Sequence, residues 1–501
     1  MQQICDPATR AGLESEGCCL PHFPERLGAI NPVKGMEQSE IKLLALLGAG
    51  AFVLASTYTS INVALPDIQE EFDISLSALK WVSIIGAIMV ASLSLCFGRV
   101  GDLLGRRRIY KLGIIVYTLG AGLTATSLSF PELMGFRVLM ATGLAASNPL
   151  AGAIIAASVA PHRRGQAVGL FASFQAAGML TGPTFGGILL DLFNWRAIFI
   201  SYLCIGSVLA LAQHFLLRGD EERRREAFDY LGALLLLIGY PSLLIGLSLG
   251  PGEGWGAPLT LFWFAVGAIG LISFGVRELH FDKPIFHFRF FRNATFCIAM
   301  FILVASSFVQ NPLTLFSPLY LEKVLDLDGF TVGLVMMALP ISTLIAGPIG
   351  GKLADRGDPL MIAGFGASIT LCAVFIYSRL GIDGPLLFAA VALVLVGFGA
   401  GFFRPATQVA VYADADRSDY GALTAMLVLI QSLAGTLGTT IVVAISESRA
   451  SADDAVAFTE GQQLAFTLLI PLLATAVVVA FLSPLRRRLS RPQPALAKEQ
   501  A

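Results

Sequence analysis

Apolar and polar positions along this chain fall in long blocks rather than alternating residue by residue. Fourteen stretches of mostly apolar residues lie between Ile41 and Leu482, separated mostly by short polar segments. A helix needs roughly 20 such residues to cross a bilayer. The stretches cover 41–64, 79–98, 109–128, 132–158, 166–190, 196–217, 230–249, 259–277, 294–319, 329–350, 360–378, 385–409, 420–445 and 462–483. Runs of this length read as helices, because lipid offers no partner for backbone N–H and C=O groups and a helix satisfies them internally. The pattern predicts an all-α integral membrane protein with fourteen spans and little chain left over for a soluble domain.

Composition points the same way: 55% of the 501 residues are hydrophobic and 14% charged, against about 25% charged in a typical soluble domain. Charge placement supplies a topology. With the N-terminus inside, 27 of the 34 Lys and Arg fall in inner segments and two, Arg137 and Arg404, within spans. Only Lys80, Arg196, Lys323, Arg379 and Arg449 fall outside. That is the asymmetry of the positive-inside rule, and it predicts two cytoplasmic termini in a multi-pass cell-membrane protein. A net charge of −1 gives no bulk attraction to nucleic acid.

Residues 1–40 lack the apolar core of a signal peptide and are expected to form a disordered cytoplasmic tail. A start at Met36 is an equally good reading of that segment. Its Cys5, Cys18 and Cys19 show no metal-site spacing and should be reduced. Residues 484–501 read as a basic cytoplasmic tail.

Two inner loops repeat one order of residues. The run Gly98-Arg99-Val100-Gly101-Asp102-Leu103-Leu104-Gly105-Arg106-Arg107-Arg108 lies between spans 2 and 3, and Gly351-Lys352-Leu353-Ala354-Asp355-Arg356 between spans 10 and 11. Both show Gly, base, aliphatic, small residue, Asp. Equivalent loops of the same orientation argue for parallel repeats. Residues 41–217 and 294–483 then form two six-helix bundles, and 218–293 a linker holding two extra spans. Span 5 adds Gly169, Gly178, Gly182, Pro183, Gly186 and Gly187.

With these motifs the chain resembles the major facilitator superfamily, and its fourteen spans, Asn62-Val63-Ala64-Leu65-Pro66 and Trp195-Arg196 are similar to the drug:proton antiporter branch. The resemblance runs over residues 41–483 and implies a major facilitator fold, two six-helix bundles plus two inserted helices. It implies multidrug-efflux-like transport of small organic molecules, with protons as coupled partners. One position departs from it: Thr57 stands where proton-coupled members usually carry Asp, and no acid lies in the middle of any span.

Physically, Asp102 is placed to accept hydrogen bonds from a neighbouring helix N-terminus and to pair with an Arg of its own loop. Gly98, Asp102, Gly105 and Arg106, with Gly351, Asp355 and Arg356, would act as a conformational latch between bundles. A purely topological role for the bases is the competing reading. Gly178, Gly182 and Gly186 share one helix face, which admits close packing, and Pro183 permits a bend; together they suggest a bent helix at the bundle interface. Arg137 should face the interior; it coincides with the family's fourth-span Arg, with Met140 replacing the usual Gln. Arg404 either lines the pathway or snorkels.

Thr57, Tyr58 and Asn62, then Asn148, Gln175, Gln408 and Gln431, are the pathway candidates, with Gln310 and Asn311 behind them. Each of the amides can equally bond a neighbouring helix. The expected activity is export of amphipathic organic compounds by alternating access. An uncoupled facilitator, or a carrier of lipids or organic anions, is the alternative, since interior arginines suit an anion better than a cation. A non-transporting membrane sensor is the third reading. No nucleotide-binding loop or metal-ligand cluster is present in the sequence, so no enzyme activity, cofactor or metal is expected. The expected partners are the substrate and the bilayer, with the protein a monomer.

Overall fold

The polar residues between the apolar runs do more than interrupt them, because several start helices. The side chains of Ser75, Ser129, Asn194, Asp229, Asn293, Asp328 and Asp358 each accept a hydrogen bond from a backbone N–H of the first turn that follows. Such caps satisfy donors that a helix leaves open at its N-terminus. The computed structural model describes residues 37–217, 228–281, 285–286, 288–382, 384–413, 415–447 and 455–489. The expected N-terminal tail up to Met36, the basic run Arg223 to Arg225 and the chain from residue 490 lie outside the described residues.

In chain order the helices are α1 (Gln38–Val63), α2 (Leu65–Phe72), α3 (Leu76–Leu104), α4 (Arg106–Ala125), α5 (Phe130–Ser158), α6 (Arg164–Leu192), α7 (Trp195–Leu216) and α8 (Tyr230–Glu253). They continue as α9 (Pro258–His280), α10 (Ala294–Lys323), α11 (Gly329–Met336), α12 (Ala338–Arg356), α13 (Pro359–Tyr377), α14 (Leu386–Tyr412), α15 (Tyr420–Glu447) and α16 (Ala455–Leu489). Against an expectation of fourteen spans, twelve helices among the described residues are long and apolar enough to cross a membrane. The two remaining long helices are α4, which opens on Arg106, Arg107, Arg108 and Lys111, and α6, rich in Gly with Gln166, Ser173 and Gln175. Their polarity, not their length, sets them apart.

The two repeated segments are not loops. The first stays helical through Leu104, so the link to α4 is the single residue Gly105, at φ 102°. Only glycine takes that conformation without strain. Gly351 to Arg356 form the last turns of α12. Neither Asp102 nor Asp355 competes for its own backbone, because each carboxylate is engaged by another helix.

Helices α1 and α3 to α7 pack together, with α1 along α6 and α5 against α3 and α4; α10 and α12 to α16 form a second group in which α14 lies against α12 and α13. Two apolar clusters fill them, one including Leu47, Ile114, Ile154 and Phe199, the other including Leu303, Val396, Leu423 and Phe466. The groups meet along two seams, α6 on α12 and α3 on α15.

The pair α8 and α9 is placed at the second seam. Leu236 and Leu244 of α8 share an apolar cluster with Ile88 and Leu95 of α3, while the Tyr240 hydroxyl donates to the Leu429 carbonyl of α15 at 3.1 Å. One helix therefore touches both groups. The eighth span, expected to stop at 277, extends to His280 and takes in a buried acid, Glu278. One of its oxygens accepts from the Phe286 N–H at 3.1 Å, and Arg277 beside it pairs with Asp229 at 3.1 Å.

Candidate functional site

The two repeated Asp residues perform the same task at the same end of the molecule. Asp355 at the end of α12 accepts the Gly165 N–H at 2.6 Å and the Gln166 N–H at 2.7 Å, in the first turn of α6. Asp102 on α3 accepts the Gly421 N–H at 3.2 Å and the Ala422 N–H at 2.9 Å, in the first turn of α15. Each carboxylate thus caps a helix of the opposite group, where open N–H donors and the helix dipole favour negative charge. Arg106 completes the first site: its Nε donates to Asp102 at 2.7 Å and its Nη2 to the Arg417 carbonyl at 2.5 Å. The Tyr420 ring lies near both Arg106 and Arg164, with guanidinium carbons 6.0 and 5.2 Å from its centroid. Of the expected residues, only Arg356 stays out: it is exposed, with no polar side-chain contact among the described residues.

Glycine lets these seams close. A Cβ at Gly351 would collide with the Gly165 carbonyl oxygen, and one at Gly169 with that of Gly347. At the other seam a Cβ on Gly98 would fall 2.7 Å from the Gly421 oxygen. The expectation for Gly178, Gly182 and Gly186 needs correction. They face α1 of their own group, against Phe52, Ser56 and Ser60, while Gly187 has nothing within 4 Å. The glycines that meet the other group are Gly165 and Gly169, about two and a half to six turns nearer the start of α6. Pro183 lies inside that helix.

Between the groups lies a cavity of about 860 Å³. Tyr58, Asn62, Asn148, Gln175, Gln408 and Gln431 all line it, as do Gln310, Asn311 and Arg404. Gln175 donates to the Asn148 side-chain oxygen at 3.1 Å and Gln408 to the Tyr412 hydroxyl at 2.9 Å, so part of this wall is held by its own bonds. Arg404 does not snorkel; its Nη2 donates to Gln310 Oε1 at 2.9 Å and its Nε has no partner. No Asp or Glu is among the lining residues.

Thr57 is turned away from the cavity, buried, with its hydroxyl donating to the Val53 carbonyl at 2.8 Å. Neighbouring residues of a helix differ by about 100°, so Tyr58 and Asn62 share one face and Thr57 takes another. Ser56 and Ser60 go to a third neighbour, the Tyr202 hydroxyl of α7, at 2.7 and 2.8 Å. Arg137 is buried beside the cavity, not on it: it donates to the Val82 carbonyl at 2.8 Å and to Met140 Sδ at 3.8 Å, in a void of about 20 Å³ with Tyr58 and Tyr117. Trp195 and Arg196 are structural ties, both donating to Glu71 of α2 at 2.6 Å. The Arg196 bond holds the Glu71 carboxyl below its ordinary value.

Comparison with known proteins agrees with this geometry. A family model described as the Major Facilitator Superfamily matches residues 47–439. The chain belongs to that superfamily. Among major facilitators, it is 29% identical over 408 residues to the riboflavin transporter RibZ of Clostridioides difficile (strain 630), covering 81% of this chain and 87% of RibZ. It is 26% identical over 458 residues to the lincomycin resistance protein LmrB of Bacillus subtilis (strain 168), covering 88% and 94%. The multidrug transporter protein MdtP of the same organism is 26% identical over 422 residues, covering 83% and 77%. The crystal structure of the human organic anion transporter MFSD10 superposes with a TM-score of 0.65 at 15% identity, covering 89% of this chain and all of that one. The chain is thus a multi-pass major facilitator transporter, and not an enzyme.

For Asp102 a helix N-terminus and an Arg of its own segment were expected, and Gly421, Ala422 and Arg106 fill those places; which helix each Asp would cap was not identified in this major facilitator's sequence. The signal for it is a glycine in the first turn of both α6 and α15, Gly165 and Gly421. Thr314, Thr343, Thr407, Thr424 and Ser432 of the cavity wall were missed too; single hydroxyls are too frequent in membrane helices to stand out.

Proposed function

We infer that this chain exports amphipathic organic compounds across the cell membrane by alternating access, and that the conformation seen is outward-facing. The observation that carries this reading is the cavity between the two groups together with the paired Asp caps that close one end of it. That end holds the Arg-rich segments, so the positive-inside rule makes it cytoplasmic, with both termini on the same side. The reading treats α4 and α6 as crossing as well, giving fourteen spans in two six-helix bundles with α8 and α9 between. At 1.5 Å per residue they are about 30 and 43 Å long, enough for a bilayer core, and their polarity is spent inside the bundle.

Proton antiport is what the drug-efflux relatives suggest. The lining favours the uncoupled alternative, since no carboxylate among those residues can carry a proton through the cavity. Purified protein in liposomes tests both points, with ethidium as cationic and anilinonaphthalenesulfonate as anionic probe, with and without a pH gradient. Catalysed flux of at least one probe is expected, without need of the gradient. If neither probe moves, the export reading fails; uphill flux that requires the gradient overturns the uncoupled form.

A further inference from the structure

The wall of the cavity contains one full charge and nothing to balance it. Arg404 lies on α14 just before Pro405, and no ion pair to it exists among the described residues. Its one side-chain acceptor is a neutral amide oxygen of Gln310, and the buried Nε has none. Arginine does not lose its proton in proteins, so the charge persists at every working pH. Arg137 is spent differently, on Val82 and Met140 in a separate small void.

A guanidinium held at membrane depth with a single neutral partner is costly unless an anion or water meets it. Amide groups of Asn311, Gln408 and Gln431 share the same wall, beside apolar surface from Leu303, Leu339 and Leu427. That set suits a molecule with one anionic group, further polar atoms and an apolar body. A planar fork of donors matches the oxygens of a carboxylate, sulfonate or phosphate. A cation would instead meet repulsion with no carboxylate to offset it.

We propose that Arg404, held by Gln310, anchors the anionic group of an amphipathic organic anion, and that the membrane potential drives its export. The proposal rests on the alternating-access reading above and narrows its substrate class. The site is neutral when loaded and carries one positive charge when empty. Each cycle moves one negative charge outward, and an inside-negative potential favours that direction. A monovalent anion then distributes about fifty-fold toward the positive side for every 100 mV.

The test uses the full chain in phosphatidylcholine liposomes with a valinomycin–potassium potential and anilinonaphthalenesulfonate as the anion. Wild type should move the probe toward the positive side, and reversing the potential should reverse net flux. Arg404→Gln should lower catalysed flux about 10- to 100-fold, the loss of one charge-assisted contact. Arg404→Lys should recover part of it, while both variants elute as monodisperse protein. A melting-temperature rise with the probe, present in wild type and absent in Arg404→Gln, gives a readout independent of turnover. Inhibition by added phosphatidylglycerol would identify a lipid headgroup as a source of the same anionic chemistry, and no inhibition a soluble anion. Ethidium transport without anion transport overturns the proposal and leaves the export reading standing. Equal anion flux in Arg404→Gln, or flux indifferent to potential, overturns it as well.

Discussion

Replacing Asp355 with Asn isolates one contact between the two groups while leaving the size of the side chain unchanged. Asp355 receives two backbone N–H donors from α6, at 2.6 and 2.7 Å. Asn keeps one acceptor oxygen but turns an NH2 toward the second donor, and the negative charge at the helix end is lost. A hydrogen bond to a charged group contributes about 1.5 to 3 kcal/mol, and a charge at a helix terminus about 0.3 to 2. Taking about 2 to 3 kcal/mol for the overlapping terms, the closed state should lose a factor of about 30 to 160 in population. Spin labels at Arg108 of α4 and Arg356 of α12, both exposed, report the separation in a cysteine-free background by pulsed electron resonance. The single variant should broaden the distance distribution toward longer values. Adding Asp102→Asn should shift it further, though not additively, because Tyr420 lies between Arg106 and Arg164 of the two sites. A double variant with the wild-type distribution would refute the latch.

Two further outcomes follow from packing and charge. Gly351→Ala places a methyl into the Gly165 carbonyl oxygen, so it should reduce probe flux and lengthen the same spin-label distance; Gly187→Ala, with nothing within 4 Å, should leave both unchanged. The Glu71 carboxyl is held below its ordinary value of 4.5 by the Arg196 hydrogen bond, so its contribution to stability is full above that value and is lost as pH falls through the lowered one. The melting-temperature gap between wild type and Glu71→Gln should therefore be constant near neutrality and close only below the ordinary value of 4.5; a gap that closes above that pH would contradict the assignment.

The long apolar runs were readable because their helices begin at Ser, Asn and Asp caps that hydropathy already marks as breaks. The ends of α3 and α12 were not, since a helix continues through Asp and Arg when another helix satisfies those charges. The repeated Asp positions were legible from their shared order of residues, and so was the kind of partner Asp102 meets, but not which helix supplies it, because helix N-termini recognise a carboxylate through backbone groups that carry no side-chain signature. Amides of the cavity wall were found by their rarity in apolar runs. Thr57 was misplaced because a mostly polar run, Ser56 to Asn62, does not reveal which helix face each residue occupies. The position of α8 and α9 had no signal in the sequence: it depends on which apolar face meets which, and apolar faces also suit lipid.

That position has a consequence for traffic through the bilayer. Helix α8 covers the seam between α3 and α15, touching both, whereas the α6–α12 seam has no such cover among the described residues and shows exposed Ile341 and Ile345 nearby. A molecule dissolved in lipid would find the two sides unequal. One flank carries an extra layer of helix and the other does not, so if the halves part, the α6–α12 side is the one that faces lipid without cover among the described residues.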